Sequence, residues 1–335
     1  MRLVTVRDEE GLLVGVLPLM LERRAGFGRL LFVGTGLSDY LDVIARAGWE
    51  DMVFEAGVQA LERIGSWRIA DLQLLRPEAA AWGILRRWHG PRTCVWQDGS
   101  PIIEVKPWDE LLTTLSKNLR STVRRALRQA AADGLHRKMA DATDAKQAAQ
   151  RLVALHREAW QERDIGPEHL TQRFESFTIA AVDRMVSREL GGISEFWQDG
   201  EVLISDFLVF ARDFCGTYIL GASQKALQQY QWSSLYVWDA VDVAHSKNKS
   251  YLDLLRGEEP YKLRWSSRII PTHRLILGRR RTAWVPYAGY HALRSRVKLY
   301  TRSESVPRWI KSATDKYRTL RYAVNQRVNK VRGRL

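Results

Sequence analysis

The feature that most constrains this chain is an order of elements that occurs twice. Leu3 to Leu21 alternates apolar and polar residues around a turn at Asp8-Glu9-Glu10-Gly11, the pattern of a β-hairpin. A short strand at Leu30 to Gly34, a helix at Phe54 to Ile64 and a buried strand at Ala70 to Leu75 follow. The second half runs the same way. Ile193 to Phe210 is a hairpin around Asp199-Gly200, Gly216 to Ala222 a strand, Ser234 to His245 a helix and Tyr251 to Leu255 a strand. A duplicated unit of hairpin, strand, helix and strand predicts two tandem α/β (α+β) domains.

The second copy has a longer entry. Pro101 to Val105 reads as a strand and Trp108 to Ala132 as a helix. A strand near Leu135 to Met139 and helices at Asp144 to Trp160 and Thr171 to Arg188 follow. The first copy has no such lead, so the first domain is expected to be incomplete, as a fragment or through a start codon upstream of Met1. The expected boundaries are residues 1–100, residues 101–281 and a tail, 282–335. In the tail Val306, Trp309, Ile310, Ala313, Tyr317, Leu320, Val324, Val328 and Val331 recur at helical spacing among arginines and lysines.

Charge supports that division. From Tyr287 to Leu335 there are thirteen Lys/Arg against two acids, Glu304 and Asp315, so the tail holds +11 of the net +14. The body is nearly balanced and does not read as a nucleic-acid binder along its whole length. No apolar run approaches the ~20 residues of a membrane span. Acids precede the N-terminal apolar run, which argues against a signal peptide. Two cysteines, Cys94 and Cys215, lie far apart without metal spacing, so a cytoplasmic chain with neither metal nor disulfide framework is expected.

Several polar residues stand out against this apolar background. Arg120, Arg124 and Arg128 share one helix face, suited to an anion or to solvent. His156 falls on the apolar side of its helix, either as a satisfied core residue or as a general base. Asp253 lies among leucines in a strand and needs a partner, for which Arg256 or Lys262 is available. Asp39 and Tyr40 follow a strand in the first domain and serve either a cleft or local packing. Tyr261 and Lys262 come one short loop after the strand at Tyr251, where Pro260 can open a helix.

Taken in order, Lys117-Asn118-Leu119-Arg120, Arg124-Arg125, Arg128, Leu155-His156, Trp160, Asp253-Leu254-Leu255-Arg256-Gly257, Tyr261-Lys262 and Trp265 resemble the CelD/BcsL-type acetyltransferases of cellulose and exopolysaccharide synthesis. These are members of the GNAT superfamily, remotely similar to FemABX-type transferases. Gly34-Thr35-Gly36 and Ser38-Asp39-Tyr40-Leu41-Asp42 extend the resemblance into the first domain. It implies tandem GNAT-like domains and transfer from acyl-CoA (acetyl-CoA or longer) to an amine or hydroxyl of a saccharide or lipid-linked precursor. It further implies that Tyr261 protonates the leaving thiolate and that Lys262 supports the transferred carbonyl. The pyrophosphate would lie at Gly221, Ser233 and Ser234, where a helix start offers free amides. However, the loop Ala222 to Trp232 lacks the glycine-rich pattern of typical members. Two alternatives stay open, an aminoacyl-tRNA-dependent Fem-like transferase and a non-catalytic GNAT-fold scaffold. For the tail at 306–335, docking on an anionic membrane at its inner face and packing on the body both fit, with nucleic acid or a cyclic dinucleotide ranking below them.

Overall fold

The computed structural model describes residues 1–24, 27–160 and 171–302. The chain forms two compact units, residues 1–100 with the described part of 270–314, and residues 101–269. The expected tail segment 306–335 lies outside the described residues.

The first unit opens with strands β1 (Arg2–Arg7), β2 (Leu13–Arg24), β3 (Phe27–Phe32) and the short β4 (Ile44–Ala45). Helix α1 (Glu50–Arg63), strand β5 (Ile69–Leu75) and helix α2 (Trp82–Arg87) follow. Strand β6 (Arg92–Glu104) then carries the chain into the second unit. There helices α3 (Trp108–Thr114) and α4 (Lys117–Ala132) precede strand β7 (His136–Met139) and helices α5 (Ala145–Trp160) and α6 (Gln172–Val186). Strands β8 (Gly191–Gln198), β9 (Glu201–Phe210) and β10 (Phe214–Ala222) lead to helices α7 (Gln224–Gln229) and α8 (Trp232–Ser246). Strand β11 (Tyr251–Asp253) and helix α9 (Pro260–Leu263) complete that unit, and strand β12 (Ile269–Gly278) and helix α10 (Arg281–Arg302) return to the first.

The duplication read from the sequence is present strand by strand. In the second unit β8, β9 and β10 form an antiparallel meander, and β11 pairs parallel to β10 across α8. In the first unit β1, β2 and β3 form the meander, and β5 pairs parallel to β3 across α1. Each parallel strand then takes one antiparallel neighbour. For β11 it is residues Ile102 to Glu104 of β6, and for β5 it is β12. The strand that completes each sheet therefore follows the parallel pair of the other unit in the chain. Thus Ile269–Gly278, expected inside the domain 101–281, hydrogen-bonds with Ile69–Leu75. Sequence periodicity cannot tell which sheet a strand joins.

One expected helix is two. Trp108 to Ala132 breaks at Leu115-Ser116, where the Ser116 hydroxyl accepts the Leu119 N–H at 3.3 Å as the cap of α4. Leu111, Leu112, Leu115, Leu119 and Val123 then pack with Tyr236, Val237, Ala240 and Trp265 in one core cluster. That cluster forms the floor of the site described next.

Candidate active site

Strands β10 and β11 pair only from Phe214↔Tyr251 to Gly216↔Asp253. Beyond that point β10 stays with β9 as far as Ala222, while the β11 chain turns away. Among the described residues no strand pairs with β10 on that side after Gly216, and backbone groups there suit an extended ligand as they would a strand.

The turn is built at Leu255, which has φ 55°. A leucine there is strained, because its Cβ crowds the backbone in the left-handed region. Four contacts hold it. Asp253, fully buried, accepts the Leu255 N–H on Oδ1 at 2.8 Å. Lys262 Nζ donates to the carbonyls of Arg256 at 3.0 Å and Leu255 at 3.5 Å, and pairs with Glu259 at 3.0 Å. An ammonium has three donors, and these partners engage all three. Lys262, only 7% exposed, is thus the anchor of the loop from Leu255 to Glu259, with Arg256 part of what it grips. The first unit has a left-handed leucine at the matching place, held by a different acceptor. Leu74 has φ 60° three residues after the buried Asp71, and its N–H meets Gln97 Oε1 at 3.0 Å. The sequence signal for this pairing is Asp71-Leu72-Gln73-Leu74-Leu75-Arg76 against Asp253-Leu254-Leu255-Arg256.

Tyr261 stands on the first turn of α9, half-buried against Trp232 and Tyr236, with ring centroids 5.9 and 6.4 Å away. The Tyr236 hydroxyl in turn lies 3.3 Å from Thr217 Oγ1 on β10. Burial raises the pKa of both phenols, and the charge of Glu259 raises that of Tyr261 further. Both therefore stay protonated donors at neutral pH. Tyr236 escapes sequence reading, because it falls in an apolar helix at core spacing.

Beneath them lies a second unforeseen group. Asp206 on β9 and Asp239 on α8 are 1% and 0% exposed. Burial, then the neighbouring Asp239, raises the Asp206 pKa well above the usual carboxylate range. Asp239 is pushed up to about 6 by burial, against the pull of Arg137, whose Nη1 donates to it at 2.9 Å. An acid within the apolar run Val202 to Phe210 was the available signal.

The remaining expected residues lie elsewhere. His156 is buried on α5, with Nδ1 2.7 Å from the Leu220 carbonyl and its ring against Phe174. Gly221 is where α5 crosses β10. A Cβ there would stand 2.5 Å from the His156 nitrogen and 2.7 Å from Leu155 Cβ. His156 and Gly221 thus meet on one face of the sheet, whereas Leu220 and Ala222 pack on the other with α7 and α8. Ser233 and Ser234 occupy the first turn of α8, which starts after Gln231 with no side-chain cap. Ser233 is half-buried, and Ser234 is buried with its N–H on Gln231 O at 2.8 Å. Between β10 and α8, the helix α7 is capped by Ser223 and takes the place of a glycine-rich loop. Asp39 and Tyr40 belong to the first unit, where the Arg76 guanidinium lies 4.8 Å from the Tyr40 ring.

Arg120, Arg124 and Arg128 line an open groove of about 920 Å³ with Trp108, Asp109, Leu112, Lys117, Ser121 and Leu127. Arg120 donates to Leu115 O at 3.2 Å and Arg128 to Arg124 O at 3.4 Å. Among the described residues no acid pairs with these three arginines.

Residues 117–263 match the family model described as Acetyltransferase (GNAT) domain. The match covers 147 of the 335 residues and lies within the second unit, whose fold is GNAT-like. The GNAT match supports acyltransferase activity and implies acyl-CoA as co-substrate. The fold of the whole chain is shared more widely. The C-terminal domain of a putative lysylphosphatidylglycerol synthetase from Agrobacterium fabrum aligns at TM-score 0.54 and 10% identity, over 82% of this chain and 83% of that one. L-PGS from Bacillus licheniformis aligns at 0.53 and 9%, over 88% and 89%. FemX aligns at 0.54 and 12%, over 81% and 87%. No curated protein matches the sequence. Among the described residues no helix is long and apolar enough to cross a membrane.

Proposed function

We propose that this chain is an acyltransferase that moves an acyl group from acyl-CoA to an amine or hydroxyl of a saccharide or other cell-envelope precursor. The observation that carries this reading is the parting of β10 and β11 beside two protonated tyrosine hydroxyls. The acceptor attacks the thioester carbonyl, the C–S bond breaks, and the acceptor's proton leaves to water. Tyr261 gives its proton to the departing thiolate and regains one through Tyr236 or solvent. Lys262 holds the loop that presents Tyr261. The saccharide rests on the likeness to CelD/BcsL-type enzymes. Calorimetric titration with acyl-CoAs of increasing length tests the donor. Heat with none of them would end this reading and leave a scaffold role.

A second reading is aminoacyl transfer from charged tRNA. The Arg120, Arg124 and Arg128 groove favours it, since unpaired arginines at helical spacing suit a phosphate backbone. Folds shared with FemX and with lysylphosphatidylglycerol synthetase point the same way. Salt-sensitive tRNA binding that Arg124→Glu abolishes, without any acyl-CoA binding, would select it.

A further inference from the structure

The last described helix is built unlike the others. Between Arg281 and Arg302 there are five Lys/Arg and no Asp or Glu. Its inner side is fixed to the first unit. Trp284 Nε1 donates to Ile276 O at 3.2 Å, Tyr287 Oη donates to Asp71 at 2.6 Å, and Lys298 Nζ meets Asp98 at 2.9 Å. Ala288 between them is 5% exposed.

The outer side is apolar. Val285, Tyr290, Leu293, Val297 and Tyr300 are 56%, 53%, 64%, 49% and 56% exposed. At about 100° per residue they fall in one sector roughly 140° wide, with Arg296 inside it near Val285 and Arg294 about 40° beyond Tyr290. A soluble helix with its inner face already packed has no folding reason to present such a stripe. At 1.5 Å per residue, α10 is about 33 Å long, so the stripe is a flat ribbon rather than a point contact.

We infer that the outer face of α10 is a docking surface for an anionic lipid bilayer. The Leu, Val and Tyr side chains of this sector enter the acyl boundary, while Arg296 within it and Arg294 beside it reach phosphates. A nucleic-acid backbone would call for several cations in that sector, and Arg296 is its one charged side chain among Val285, Tyr290, Leu293, Val297 and Tyr300. A second copy of this helix would set Arg294 and Arg296 against their own counterparts with no acid to relieve them. The inference is independent of the acyl-transfer reading, because no residue of the second unit enters it.

Flotation of the full chain with phosphatidylcholine vesicles, with and without phosphatidylglycerol, tests it. Binding is expected only with phosphatidylglycerol and should weaken as salt rises. Leu293→Glu with Val297→Glu, and separately Arg294→Glu with Arg296→Glu, should each weaken binding by about tenfold or more. Circular dichroism and the unfolding midpoint should stay as in the native chain. No binding to phosphatidylglycerol vesicles would overturn the inference. So would native-like binding by both variants, which would move the contact to residues 303–335. A dimer by light scattering that the Leu293→Glu, Val297→Glu variant dissolves would instead assign the stripe to a second copy.

Discussion

Replacing Lys262 by methionine separates two roles that a buried lysine can have here. Methionine keeps the stem and removes the ammonium. Two carbonyls, Leu255 O and Arg256 O, then lose a charged donor. A hydrogen bond to a charged group contributes about 1.5–3 kcal/mol, and the Leu255 contact at 3.5 Å is the weaker of the two. The Glu259 side chain is 51% exposed, so that pair adds less than about 1 kcal/mol. Relief of ammonium desolvation offsets part of the loss. The net expectation is that the second unit is destabilised by about 2–4 kcal/mol, with the strained Leu255 loop no longer held. Urea unfolding followed by tryptophan fluorescence reads this directly, and single-turnover acyl transfer at low temperature reads the chemistry. Loss of stability with a proportionate loss of transfer supports the anchor. An unchanged midpoint with transfer reduced more than a hundredfold would refute it and make Lys262 a group that acts on the substrate.

Three further outcomes follow from the same geometry. Tyr261→Phe should lower the transfer rate by about 10²-fold, the usual worth of a positioned acid, while moving the unfolding midpoint little; equal rates would remove Tyr261 from the chemistry. Gly221→Ala places a methyl 2.5 Å from the His156 nitrogen and should destabilise the second unit by about 1–3 kcal/mol in urea melts, without any charge having changed. The Asp206 carboxyl has a folded pKa above its unfolded value, so its unfolded form sheds a proton first and stability falls as pH rises above about 4. Asp206→Asn should therefore match the native chain near pH 4 and exceed it at pH 7.5 in urea midpoints; a less stable variant at pH 7.5 would contradict this.

Much of this was legible in the sequence because periodicity and turn chemistry are local. The hairpin at Asp199-Gly200 forms as the turn residues require, both at positive φ. Tyr261, Lys262, Asp253 and Arg256 gather around one loop, since they lie within ten residues of each other. What stayed hidden depends on distant pairing. That β12 completes the first sheet is decided by which edge needs a partner, and no window of the sequence contains both edges. The Leu255 φ of 55° escaped notice because leucine does not advertise a left-handed backbone; Gly257 beside it does. Tyr236 and Asp239 share α8 with seven buried neighbours, so helical spacing reads them as core. The glycine at 221 was read as a place for phosphate, and its small size is needed against α5.

On the proposed reading the parted strands of the second unit receive an acyl donor. Amide hydrogen exchange across β10, with and without a saturating acyl-CoA, tests it most directly. Protection gained from Thr217 to Gly221, with little change in β1 to β3, is the result this account predicts. Unchanged exchange on β10, at donor concentrations where calorimetry detects binding, would place the donor elsewhere and contradict it.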